Sequence, residues 1–327
     1  MTSSPSSDSG RRNGFLLTVS AVAAIGGFLF GCDACVVSGA LLYVRDDFGG
    51  LSSFQQGAVV SGTLLGAMFG ALVGGAAADR FGRRRTIFVV ALAFALGIVV
   101  IVIAQSPSVL IAGRFIVGLG VGGASMSVPL YISELAPADK RGRLVSTNQL
   151  MITLGIVCAY LVDYAFASGG EWRWMFGIGL VPAGILGAAI LFMPESPRWL
   201  VAHGRVDSAR SVLARIHDEG ALEDELRVVQ DAESDRPGFR ALLAPGLRLA
   251  LMLGIGLAIL QQVTGINTVI YYAPTILNST GISSSNSILA SLAVGAINVV
   301  MTIVSMAVID KVGRRAPAAR EPRRHGG

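Results

Sequence analysis

Apolar and polar positions alternate along this chain on a long scale. Eight blocks of about 20 residues, almost free of charge, are separated by polar stretches. They cover residues 15–42, 54–78, 86–105, 109–133, 144–167, 174–193, 249–276 and 287–309. A helix rising about 1.5 Å per residue crosses a hydrocarbon layer of about 30 Å with each of them. A buried helix of a water-soluble protein can imitate one or two such blocks, but not eight in succession. The first block is too long for a cleavable signal peptide, lacks a small-residue cleavage site and is followed by seven more. The pattern predicts an all-α, multi-pass membrane protein.

Composition agrees. Of 327 residues, 53% are hydrophobic and only 14% charged, with a mean hydropathy of +0.64. That excludes an ordinary soluble enzyme and also intrinsic disorder. The 41 glycines suit helices that pack closely in lipid. The net charge of +5 does not indicate a nucleic-acid partner, because of where the basic residues fall. With the N-terminus in the cytoplasm, 23 of the 26 Lys and Arg residues lie on the cytoplasmic side, Arg45 and Arg173 lie outside, and Arg114 lies within a span. The positive-inside rule therefore puts both ends in the cytoplasm of a cell-membrane protein.

The chain divides into a tail (1–14), six spans (15–193), a long polar loop (194–248), two spans (249–309) and a C-terminal segment (310–327). In the loop, Val206, Ala209, Val212, Leu213 and Ile216 predict one short helix, and Leu222, Leu226 and Val229 a second. The loop's ten acidic and eight basic residues read as a solvated face, with a regulatory role as the alternative.

A duplication organises the whole. Asp79-Arg80-Phe81-Gly82-Arg83-Arg84-Arg85 follows the second span, and Asp310-Lys311-Val312-Gly313-Arg314-Arg315 follows the eighth. The eighth span thus corresponds to the second, in a second six-helix unit, and four more spans are expected after Arg315. Residues 316–327 contain no apolar run. The expectation is a fragment or a frameshifted chain, with a natural eight-span protein as the alternative.

From about Phe15 to Arg315 the chain resembles the sugar porter family of the major facilitator superfamily. The resemblance rests on the Asp79–Arg85 motif, Arg114-Phe-Ile-Val-Gly-Leu-Gly-Val-Gly-Gly, Tyr131-Ile-Ser-Glu134-Leu-Ala-Pro137 with Arg141-Gly-Arg143, Pro194-Glu195-Ser-Pro-Arg198-Trp-Leu, and Gln261-Gln262-Val-Thr-Gly-Ile-Asn267-Thr-Val-Ile-Tyr271-Tyr. The last two runs are the most specific. It implies the major facilitator fold: a complete N-terminal six-helix bundle plus the first two helices of a C-terminal bundle. It further implies transport of a monosaccharide or polyol by alternating access.

In the seventh span, Gln261, Gln262, Thr264, Asn267 and Tyr271 crowd polar groups that in lipid must face a partner or a water-filled cavity. Amides both donate and accept, which suits neutral hydroxyls. Gln262 and Asn267 stand about 140° apart on a regular helix, so both reach one ligand only if the helix is bent or broken, and Gly265 lies between them. The alternative is interhelical polar contact. The resemblance implies Gln261, Gln262, Asn267 and Tyr271 as sugar ligands or gate residues, and Gln149 as the sugar-binding glutamine of the first bundle. A second glutamine of some family members is Ile156 here, and the ligands of the family's tenth and eleventh spans fall beyond this chain.

Asp33 and Arg114 are read as the deepest charges of the first bundle, about 14 Å and 8 Å from the outer ends of their spans, close enough to pair if the helices are neighbours. Burial and a neighbouring arginine act oppositely on a carboxyl group, so such a pair can serve as a protonation switch. Proton-coupled family members resemble this chain in having Asp at position 33, which implies protons as the coupling ion. A static ion pair is the alternative. The charges Asp79, Arg83, Glu134, Arg141, Glu195, Arg198, Asp310 and Arg314 resemble the family's inner gate.

Other signals carry less. Gly118-x-Gly120-x-x-Gly123 lies inside an apolar span with no preceding strand, so it reads as a close-packing surface and not a dinucleotide loop. The same holds for Gly62, Gly66, Gly70 and Gly74. Cys32 and Cys35 lack further metal ligands. No catalytic residue, metal or cofactor is expected. A passive facilitator, a membrane sugar sensor and an inactive fragment are the alternatives to a symporter.

Overall fold

The computed structural model describes residues 6–136, 138–216, 219–234 and 245–312. Its described elements are all helical. In chain order they are α1 (Ser6–Asp47), α2 (Ser53–Phe81), α3 (Arg83–Val102), α4 (Pro107–Leu135), α5 (Ala138–Ala167), α6 (Trp172–Gly177), α7 (Leu180–Leu191), α8 (Pro197–Ala202), α9 (Val206–Leu213), α10 (Glu219–Ser234), α11 (Pro245–Val263), α12 (Ile266–Ser279) and α13 (Ser284–Val312). They supply eight membrane spans, each overlapping one of the eight apolar blocks. The protein is a multi-pass membrane protein. The ends of α2 and α4 and the start of α3 share one face, the motif face. The ends of α1 and α5 and the start of α13 share the opposite face.

Local chemistry sets the boundaries. Ser52 caps α2 in a capping box, its hydroxyl accepting from the Gln55 amide at 3.2 Å while the Gln55 side chain accepts from Ser52 N at 3.0 Å. Ser106 caps α4, with Pro107 in the first turn where no N–H is needed. Two spans are broken. The sixth divides into α6 and α7 around residues 178–179, where Pro182 cannot donate back to residue 178. At Gly179 a side chain would meet Ile98 and the Phe176 carbonyl. The hydropathy pattern predicts one continuous helix there and misses this break. The seventh breaks between α11 and α12 at Gly265, which adopts a left-handed φ of 70°, one of the two departures from a regular helix that a shared ligand of Gln262 and Asn267 would require. A side chain at Gly265 would meet nothing within 4 Å, so its requirement is purely conformational. Gly265→Ala should therefore destabilise the fold by about 1 kcal/mol through backbone strain alone. Chemical unfolding in detergent measures this, and an unchanged midpoint contradicts it.

The first bundle is held by backbone-to-backbone seams. α2 lies against α4 through Gly62, Gly66, Gly70 and Gly74, all buried. A methyl group at Gly66 would come 2.1 Å from the Phe115 carbonyl oxygen, and one at Gly122 1.9 Å from that of Ala67. Such proximity is open only to residues without a Cβ. α1 and α5 form a second seam: a methyl group at Gly31 would come 1.9 Å from the Ile152 carbonyl oxygen, and one at Gly155 2.4 Å from that of Phe28. The Gly118–Gly123 run is thus packing surface, as expected. Outward-facing side chains such as Leu72, Val89 and Leu257 are exposed, the surface a lipid solvent favours.

Between the bundles, α12 packs on α1 and α13 on α5. The Tyr160 hydroxyl donates to the Ile270 carbonyl of α12 at 3.0 Å. The loop helices take the predicted form: Ala209, Val212, Leu213 and Ile216 are buried, and so are Leu222, Leu226 and Val229.

Candidate functional site

Two buried ionic centres lie in the first bundle, one on each side of its middle. In the first, Arg114 Nη1 on α4 donates to Asp33 Oδ1 on α1 at 2.6 Å, with both side chains at most 5% exposed. The guanidinium also reaches the Val59 carbonyl at 3.4 Å and lies 5.4 Å over the Phe176 ring. One carboxylate, one carbonyl and one aromatic face thus hold the cation where water cannot. The two depths read from the sequence bring the pair together as expected. A cavity of about 360 Å³ adjoins it, lined by Phe28, Cys32, Asp33, Phe94, Cys158 and Phe176 among others.

The second centre lies at the motif face. Arg83, at the start of α3, pairs with both Glu134 oxygens at 2.8 and 2.9 Å and with Asp79 at 3.1 Å. Ser196 Oγ donates to Glu134 at 2.5 Å. Glu195 accepts from the main-chain amides of Arg83 at 2.8 Å and Arg84 at 3.1 Å, so its carboxylate caps the positive end of α3. Gly82 makes this possible: its φ is 96°, and any Cβ would lie 2.2 Å from Glu195 Oε2. Trp199 Nε1 donates to the Asp79 carbonyl at 3.0 Å, and Tyr131 donates to that of Pro194 at 2.6 Å. Arg84 donates to the Leu191 carbonyl.

The Arg83 and Glu134 side chains are each only 3% exposed. The partners named here lie on α2, α3, α4, the end of α7, α8 and the segment leading into it, so these contacts join the first bundle to the start of the loop that follows it. Arg198 is exposed. The side chains of Arg141 and Asp310, and all of Arg314, lie outside the described residues.

Of the five expected sugar contacts, Gln149 on α5 and Gln261 and Gln262 on α11 are exposed, while Asn267 and Tyr271 on α12 are half-buried. The structure brings two of them into direct contact. Asn267 Nδ2 donates to Gln262 Oε1 at 3.3 Å across the Gly265 break, which turns the two amides toward each other.

The sequence reading overlooks one residue, Asp163. It lies near the end of α5 and is 0% exposed, buried as deeply as the pair it was not ranked with. Its signal is an acid within an apolar span, and position near the span's end conceals the burial.

Against this geometry the comparisons with known proteins are unambiguous. Residues 19–317 match the family model "Sugar (and other) transporter", and the chain belongs to that family. It is 45% identical over 293 residues to the putative metabolite transport protein YwtG of Bacillus subtilis, covering 89% of this chain and 64% of that one. It is 42% identical over 306 residues to the glucose transporter GlcP of Staphylococcus epidermidis, covering 93% and 68%. The solved structure of the proton:xylose symporter XylE bound to 6-bromo-6-deoxy-D-glucose superposes with a TM-score of 0.82 at 30% identity, covering 93% of this chain and 71% of that one. The chain therefore has the major facilitator fold, and it spans less than two thirds of the length of YwtG.

Proposed function

We propose that this chain contributes to proton-coupled transport of a monosaccharide or polyol by alternating access. In this reading the N-terminal bundle (15–193) rocks against the bundle begun by 249–309, with 194–248 as linker and 310–327 as the motif following the eighth span. Both termini face the cytoplasm, so the motif face is cytoplasmic. The observation that carries the reading is the buried Asp33–Arg114 pair at the bundle core, beside the helix that bears Gln149. Protonation of Asp33 neutralises the carboxylate, releases Arg114 and permits the rocking step with sugar bound. Gln149, Gln261, Gln262, Asn267 and Tyr271 offer amide and hydroxyl partners to sugar hydroxyls. The proton and the sugar are the partners required, and no step calls on a metal or cofactor. The relatives support this: GlcP is named a glucose transporter, and a relative from Levilactobacillus brevis a D-xylose transporter.

The test is uptake into sealed vesicles. Wild-type chain should concentrate labelled sugar when the outside is acidified, and Asp33→Asn should retain exchange between equal pools while losing accumulation. A wild type that only equilibrates sugar points to a passive facilitator. Binding without exchange points to a sensor, and undiminished uphill uptake by Asp33→Asn removes Asp33 from the coupling.

A further inference from the structure

Asp163 occupies the junction of α1, α5 and α13 on the opposite face. Its side chain presses on α1 at Gly39, where a methyl group would lie 2.3 Å from Oδ2. Among the described residues no side chain donates to either carboxyl oxygen, and the polar contact it has is with the Gly39 main chain. The ionisable groups around it are Cys35 and Tyr43 on α1 and Tyr160 on its own helix. α12 and α13 bring no charge to it among the described residues. Asp33, two turns inward on α1, is answered by Arg114, whereas among the described residues no cation pairs with Asp163.

A carboxylate enclosed this way gives up its hydration without an ionic partner in return, while the neutral acid fits the same space at far lower cost. The place is also one where the bundles meet. The Tyr43 hydroxyl lies beside Ser285 of α13, short of a complete hydrogen bond, and Ser287 and Ser291 of α13 are buried. Separation of α13 from α1 and α5 would admit water to Asp163.

We propose that Asp163 is a second proton site, whose protonation favours closure of the α1–α5 edge against α13 and whose ionisation favours its opening. The step is a simple proton transfer. A carboxylate hydrated in the open arrangement takes one proton from water on the opposite face and is enclosed as the acid; on opening, the proton returns to that water. The affinity difference between the two arrangements shifts their populations. This rests on the transport reading only for the sidedness of the face.

The test places Ser285→Cys in the full chain in vesicles and measures its reaction with a membrane-impermeant maleimide at outside pH 5 to 8. The rate is divided by that of Ser53→Cys, an exposed position on the same face, to remove the thiol's own pH dependence. The normalised rate should fall as pH falls, by at most about tenfold per unit for one linked proton. With Asp163→Asn or Asp163→Ser it should stay low and flat, and with Asp33→Asn it should keep its slope. A slope retained in both Asp163 variants, or absent from the wild-type background, overturns the proposal. If sugar exchange is absent while the Asp163-dependent slope is present, the transport reading fails and the proton site stands.

Discussion

Alanine at Gly122 is expected to abolish the folded first bundle. The added methyl group would sit 1.9 Å from the Ala67 carbonyl oxygen and 2.7 Å from the Ala67 Cα. Both obstacles are backbone, so no rotamer change relieves the overlap and α2 must move off α4 along its length. Ordinary overpacking costs about 1–3 kcal/mol, and a clash that only main chain can relieve lies at or beyond the top of that range. Gly184 supplies the control, since a methyl group there meets nothing within 4 Å and alanine favours a helix interior by up to about 1 kcal/mol. Size-exclusion chromatography after detergent extraction should show monodisperse Gly184→Ala and aggregated or lost Gly122→Ala. Equal behaviour of the two would mean that the α2–α4 seam has room that the structure does not contain.

Removing Glu134 should have the second largest effect. Arg83 would keep Asp79 and the Ala78 carbonyl, but its bidentate partner would be gone and its side chain would remain only 3% exposed. Breaking one side of a buried pair costs about 3–5 kcal/mol, because an uncompensated charge is left behind. Glu134→Ala is expected in that range. Arg83→Met in addition should recover much of the loss, because it removes the stranded cation. Denaturant unfolding of the two single variants and the double variant gives the coupling. Strict additivity would show that Arg83 and Glu134 do not act as a unit.

How far the amino-acid sequence foretells this structure depends on the range of the interaction concerned. The eight spans are legible because lipid imposes length and apolarity on every crossing segment, independent of its neighbours. The Gly265 break is legible because the incompatible angles of Gln262 and Asn267 are a local property. The Asp33–Arg114 pair is legible because both charges lie deep in apolar runs, at depths that can meet. What fails is what depends on which helix faces which. Nothing near Glu195 in sequence shows that its carboxylate will cap α3, and nothing near Asp163 shows that Gly39 will close over it. The sixth-span break escapes because Gly177, Gly179 and Pro182 do not interrupt the hydropathy of residues 174–193, although together they weaken the helix there. Arg83 and Glu134 read as loop charges since each lies at a helix end. Ser196, from the segment before α8, bonds Glu134, and Trp199 of α8 bonds the Asp79 carbonyl, contacts made from more than 60 residues away.

The α1–α5 seam has a mechanical consequence. Where two helices meet through side chains, each can slide or roll by exchanging rotamers. Here main chain abuts main chain at Gly31 and Gly155, and that compliance is missing. The carboxylate of Asp33 and the amide of Gln149 therefore ride on a single stiff strut, α1 laminated to α5. A force applied at one is delivered to the other without slack, and any bending needed for motion is displaced to the two joints that lack such lamination, residues 178–179 and Gly265.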